Sequence, residues 1–291
     1  MAELSFVVRF QKRLIGKDRS RVLWLLMWVI LVHAAVACRG ASADLPSASN
    51  VIARVVERAS QIAKEGEAKY LYEKRSLFEE LNAHRQTTQS TEKLYEVMLI
   101  GGWPFSRLVK VQGRSLTPAE IRSEDQKEQE FRNKVAGRNL EAMAEKKEPW
   151  LLPEIVDRYE FTVLGTEEYD SRRTVVLEFK AKPGNAERNL QDKIYDRFAG
   201  KLWVDQGDAE IAKLEVHLTE EFSLGWLGLF GSLSECDLSL RRQRMPDGTW
   251  VNAKSTILIV GRKVFSPMRY RTTEESSGFR APSGEKGQTA P

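Results

Sequence analysis

At 291 residues, with 42% hydrophobic and 30% charged side chains, the chain can hold one large domain or two small ones and is too apolar to be globally disordered. Its formal charge of +4 sits at one end: residues 1–43 hold seven of the 45 Lys and Arg but two of the 41 Asp and Glu, leaving 38 basic against 39 acidic residues in the body. A neutral body gives no electrostatic case for nucleic acid, and two cysteines, Cys38 and Cys236, make no disulfide framework.

Met1 to Arg21 is basic, and Val22 to Ala37 is apolar except for His33. That run falls short of the roughly 20 residues of a membrane span, and small residues follow it, as in a secretory signal. A short membrane anchor is the alternative. Two cleavage sites are open: after Ala43, before Asp44, or at Ala35-Val36-Ala37-Cys38, where the sequence resembles a bacterial lipobox and Cys38 is a lipidation candidate. The expected division is an export signal over 1–43, one domain over 44–275, and a disordered Ser-, Gly- and Pro-rich tail over 276–291.

Ser47 to Gly66 reads as an amphipathic helix, with Ile52, Val55, Val56, Ala59 and Ile62 at helical spacing. Strands follow over 69–81, 91–99 and 107–111, with Gly101 to Phe105 read as a break. Thr117-Pro118-Ala119-Glu120 is a capping box with proline at the first helical position, and it opens a highly charged helix to about Lys147. Strands at 159–164 and 174–180 come next. The chain then enters a meander from Ala199 to about Glu275. In Ala212 to Leu218, Ala212, Leu214, Val216 and Leu218 point one way and Lys213, Glu215 and His217 the other. The strands at 229–244, 250–262 and 264–273 repeat the pattern, with an Asp-Gly turn at 247–248.

No catalytic constellation emerges. His84 lies in a polar turn and His217 on a wet strand face, so neither suggests a metal site. Gly231-Ser232-Leu233-Ser234-Glu235 lacks the second glycine of a nucleophile elbow, and Gly225, Gly228 and Gly231 do not have a phosphate-binding spacing. Glu235 and Asp237 share a face and read as solvated carboxylates. Neither an enzyme nor a cofactor is expected. What remains is an exported α+β protein: a curved antiparallel sheet with helices over its concave face and an apolar ligand in the gap. Alternation nominates Leu202, Val204, Leu214, Val216, Leu218, Leu238, Leu240, Val251, Ile257 and Ile259 as the cavity wall.

The strand bearing Tyr70-Leu71-Tyr72-Glu73, then Gly102-Trp103-Pro104-Phe105-Ser106-Arg107-Leu108-Val109, then Gly200 to Asp205 with Ala209 to Glu215, resemble bacterial outer-membrane lipoprotein-sorting (LolA/LolB-like) proteins. The resemblance covers roughly 47–275. It implies an unclosed β-barrel with a helical lid, in the periplasm or at the outer membrane, that holds lipid or lipoprotein acyl chains. The same fold resembles periplasmic stress sensors, which implies a protein partner as the alternative. A lipidated Cys38 would add a membrane surface.

Overall fold

The computed structural model describes residues 45–65, 69–137, 153–224, 231–263 and 266–282. Signal, cleavage sites and Cys38 lie outside them, as do most of the Leu224–Gly231 loop and the charged helix beyond Gly137.

Four helices are described: α1 (Ala48–Glu65), α2 (Pro118–Ala136), α3 (Pro153–Val156) and α4 (Leu190–Tyr195). The twelve strands are β1 (Leu71–Leu81), β2 (Thr87–Ile100), β3 (Trp103–Val111), β4 (Arg114–Ser115), β5 (Tyr159–Tyr169), β6 (Arg172–Ala181), β7 (Phe198–Asp205), β8 (Ile211–Leu218), β9 (Phe222–Leu224), β10 (Gly231–Arg244), β11 (Trp250–Lys263) and β12 (Ser266–Arg280). They form one antiparallel sheet in the order β4-β3-β2-β1-β12-β11-β10-β8-β7-β6-β5, with β9 beside β10. Every neighbour but one is a sequence neighbour or nearly so. The exception, β1 with β12, joins the N-terminal hairpins to the end of the meander.

The sheet is not closed. Its two edges, β3–β4 and β5, are consecutive in the chain, and α2 lies between them in sequence. Rather than let the edges pair, α2 runs along β3. Phe131 stacks on Phe105 at 5.2 Å, and Arg107 reaches Glu128 at 2.6 Å. Glu124, only 4% exposed, accepts the Leu108 N–H at 3.1 Å, as a neighbouring strand's carbonyl would. A side chain thus satisfies an edge amide that burial would otherwise penalise. The capping box forms as expected: Thr117 Oγ1 accepts the Glu120 N–H, and Glu120 accepts the Thr117 N–H. Glu120 is held well below the usual carboxylate range by Arg114 first, then by Thr117.

Two expectations are corrected here. Gly101 and Gly102 do not end a strand region; both have positive φ, at +57° and +82°, and form the two-residue turn of the β2–β3 hairpin. The tail does not begin at Ser276. β12 runs on to Arg280, because Lys74 and Glu73 of β1 pair with Ser276 and Ser277 and Phe279 stacks on Tyr72 at 5.1 Å. Strand pairing and an aromatic contact outweigh a Ser/Gly composition.

Candidate functional site

Cross-strand register fixes which side chains share the face that α1 covers. Val175 and Leu177 of β6 oppose Val204 and Leu202 of β7. Leu202 opposes Leu214 of β8, and Gly200 opposes Val216. Leu214 and Val216 oppose Leu240 and Leu238 of β10, and Leu238 and Cys236 oppose Ile257 and Ile259 of β11. The face continues through Thr272 and Tyr270 of β12 to Phe78 of β1. Gly200 permits a close approach of β7 to β8: a Cβ there would sit 2.0 Å from the Glu215 carbonyl oxygen.

Burial divides this face. Val51, Ile52 and Val55 of α1 pack with Val175, Leu177, Leu202, Val204, Ile211 and Leu214 into a dry core, in which Leu177 is 0% and Leu202 2% exposed. Val216, Leu238 and Leu240 pack against its margin. Beyond them Ile257, Ile259 and Tyr270 are half-buried, and Phe78, stacked on Tyr270 at 5.6 Å, is 38% exposed. No helix among the described residues belongs to that outer part.

Of the ten nominated residues, Leu202, Val204 and Leu214 are core under α1. Val216, Leu238 and Leu240 lie at its edge, and Ile257, Ile259 and Leu218 are half-buried on the strands. Val251 is corrected to the other face. A register shift between Arg241 and Arg242 makes Ala253 an extra residue, so Val251 opposes Gln243 while Asn252 opposes Arg242. A bulge resets the two-residue period and has no signature in alternation. Alternation puts Cys236 on this face with Leu238 and Leu240, as the register has it; Tyr270 and Phe78 were missed as members of it. Counting every second residue of 72–80 would have reached Phe78, but Lys74, Ser76 and Glu80 on the same side hide it.

A polar network ties α1 down. In the β7–β8 turn, Arg172 holds Asp205 through two hydrogen bonds of 2.6 and 2.7 Å, and Asp205 also accepts the Gly207 and Asp208 N–H groups. Asp208 accepts from Arg244 at 2.6 Å and from the Trp250 indole at 2.9 Å. Burial alone would raise both carboxyls, but Arg172 for Asp205 and Arg244 for Asp208 hold them below their usual range. Glu210, buried, joins Arg58 of α1 at 3.3 Å to Arg242 of β10 at 2.7 Å. Arg54 donates to the Gln206 carbonyl. A pocket of about 300 Å³ opens beside this turn, lined by Asn50, Val51, Arg54, Val204 and Asp205. It lies against β6 and β7, away from the open face, and stands at the low end of small-molecule sites.

His84 and His217 are exposed, and no group of three His, Cys, Asp or Glu among the described residues could hold a metal. Glu235 is salt-bridged to Arg85 at 2.8 Å on the outer face, with Asp237 alongside. Burial, then Asp237, pushes the Cys236 thiol up, away from a reactive thiolate.

No protein-family model and no curated protein matches the chain. Solved structures do. The chain is similar to lipoprotein-sorting and LolA-superfamily structures. A domain from Vibrio parahaemolyticus assigned to outer membrane lipoprotein sorting is 12% identical with a TM-score of 0.34, over 82% of this chain and 94% of that one. A LolA superfamily protein from Nitrosomonas europaea is 10% identical with a TM-score of 0.23, over 79% and 93%. The MucA/MucB complex of Pseudomonas aeruginosa gives 11% identity and a TM-score of 0.22, over 81% and 99%. Among the described residues no helix is long and apolar enough to cross a membrane.

Proposed function

We propose that this is an exported, non-catalytic protein that binds lipid acyl chains on the open part of the inner face, formed by β8, β10, β11 and β12. One observation carries this reading. The apolar face that forms dry core under α1 continues through Val216, Leu238, Leu240, Ile257 and Ile259 onto a half-buried surface with no described helix over it. Apolar surface laid out in a strip and left half-wet is what an apolar ligand covers, at about 25 cal/mol per Å². The basic and apolar N-terminal sequence supports export, and lipid or lipoprotein acyl chains are the expected cargo outside the cytoplasm. Lipidation at Cys38 would make the protein a tethered receptor, and cleavage after Ala43 a soluble carrier.

The test is mass spectrometry of the protein from its native cells, under native and denaturing conditions. Acyl lipid that travels with the native protein and leaves on denaturation is the expected result. Lipid-free protein that also takes up none in solution overturns the reading.

A second reading has its own observation. β5, paired with β6 on one side, has no second strand partner among the described residues and leaves Leu164 48% exposed, whereas the opposite edge is lined by α2. Such an edge can accept an extended segment of a protein partner. A partner whose capture is lost in Gly165→Pro and unaffected by delipidation would favour it.

A further inference from the structure

The open face is not uniformly greasy. The cross-strand row that begins at Leu214 and Leu240 continues as Ser255, Glu274, Ser76 and Lys93. The row beside it begins at Val216 and Leu238 and continues as Ile257, Thr272, Phe78 and Thr91. Tyr95 follows Lys93 on the same face of β2, opposite Lys74 of β1. The face therefore changes along its rows from aliphatic on β8, β10 and β11 to hydroxyl-bearing and basic on β1 and β2.

Three lysines surround Tyr95, and two are spoken for. Lys74 pairs with Glu274 at 3.4 Å and lies 5.2 Å from the Tyr95 ring. Lys127 of α2 pairs with the buried Glu124 at 2.6 Å. Lys93 is half-buried and has no ion pair among the described residues, and the hydroxyls of Ser76, Thr91, Tyr95 and Thr272 make no hydrogen bond there. This end of the face is a strip of donors with one uncompensated ammonium. The other carboxylate on it, Glu80, lies toward the Phe78 and Tyr270 end.

We propose that the ligand of the open face is a long-chain fatty acid. Its carboxylate sits at Lys93, with the Tyr95 and Ser76 hydroxyls beside it. Its chain crosses β1, β12 and β11 and ends against Leu238. From β2 to β10 the path covers four strand spacings, about 19 Å, the length of one extended sixteen-carbon chain. This rests on the acyl-chain reading above and adds the number of chains, their direction and the charge of the head.

The experiment measures binding of palmitate and of hexadecanol, by displacement of a fluorescent fatty-acid probe, to the delipidated protein purified from its own cells. Palmitate binds about fivefold tighter than hexadecanol, the scale of one partly solvated ion pair. Lys93→Gln abolishes that preference and leaves hexadecanol unchanged, and Lys93→Arg restores it. Equal binding of the two ligands, or a preference that survives Lys93→Gln, overturns the assignment of Lys93 while the acyl-chain reading stands. Displacement by phosphatidylglycerol vesicles at lower lipid concentration than by palmitate overturns the single-chain ligand. Failure of all three lipids to displace the probe removes both the assignment and the reading beneath it.

Discussion

The two halves of the inner face are built from the same kind of strand and end up with different physics. Over β6, β7 and β8 an amphipathic helix supplies Val51, Ile52 and Val55, and the leucines and valines beneath them lose nearly all contact with water. Over β10, β11, β12 and β1 the same rows run on without that helix, and Ile257, Ile259 and Tyr270 stay half-exposed. One half is a core and the other a surface. Alternation within a strand is identical in both. The difference is where α1 is pinned, and that is set by the Arg54 and Arg58 contacts to the β7–β8 turn and to Glu210.

Charge placement gives the sharpest contrast between the halves. Leu177→Asp puts an unpaired carboxylate in the core and abolishes folding, as circular dichroism would record. Ile257→Asp leaves the fold intact and removes acyl-lipid binding. If Leu177→Asp folded, or Ile257→Asp did not, the division into core and surface would be wrong. The same contrast in truncations is smaller: Leu177→Ala costs about 3 kcal/mol in urea unfolding, and Ile257→Ala less than about 1.5 kcal/mol.

The edges make a second, milder comparison. Glu124→Ala strips the buried partner from the Leu108 N–H and costs about 2 kcal/mol by urea denaturation. Lys127→Ala, whose side chain is mostly in water, costs about 0.5 kcal/mol. Equal effects would show that the ion pair, and not the edge amide, is what α2 contributes.

Acid probes the tie-down of α1. Asp205 and Asp208 are held below their usual range in the folded protein, so each binds protons more readily when unfolded. Their contribution is fully present above the unfolded carboxylate pKa of about 3.9 and is lost as pH falls through their lower folded values. The urea midpoint therefore drops below about pH 4, and Asp205→Asn flattens part of that drop. A slope unchanged in Asp205→Asn would place the acid sensitivity elsewhere. The smallest effect belongs to Val251→Glu: it faces away from the open surface, so lipid binding is unchanged. Loss of binding there would mean that the bulge at Ala253 does not turn the strand over.

Much of this was legible in the residues. Capping chemistry at Ser47 and Thr117 located both long helices, and the Asp247-Gly248 turn and two-residue alternation located β10 and β11. The aliphatic rows were legible as a shared face through Leu202, Leu214, Leu238 and Ile257. Three features were not. Val251 was lost to a bulge, because one inserted residue changes side without changing composition. The end of β12 was lost to pairing, since Ser276 and Ser277 have low strand preference and are held by β1, some 200 residues away in sequence. The site on β1 and β2 was hidden because Lys74, Ser76, Lys93 and Tyr95 look like an ordinary wet strand until the register sets Ser76 and Lys93 in line with Leu240 and puts Lys74 and Tyr95 beside them.

The sequence by itself determined the elements, their amphipathic faces and the absence of a recognisable catalytic motif, because helix caps, turns and side-chain periodicity are set by neighbours along the chain. The tertiary structure decided which part of the apolar face is core and which is open, that α2 lines an edge and leaves the sheet unclosed, and which lysine lacks a carboxylate. Those outcomes depend on contacts between segments from 16 to some 200 residues apart, where strand register and helix docking choose among many arrangements that the local pattern satisfies equally well.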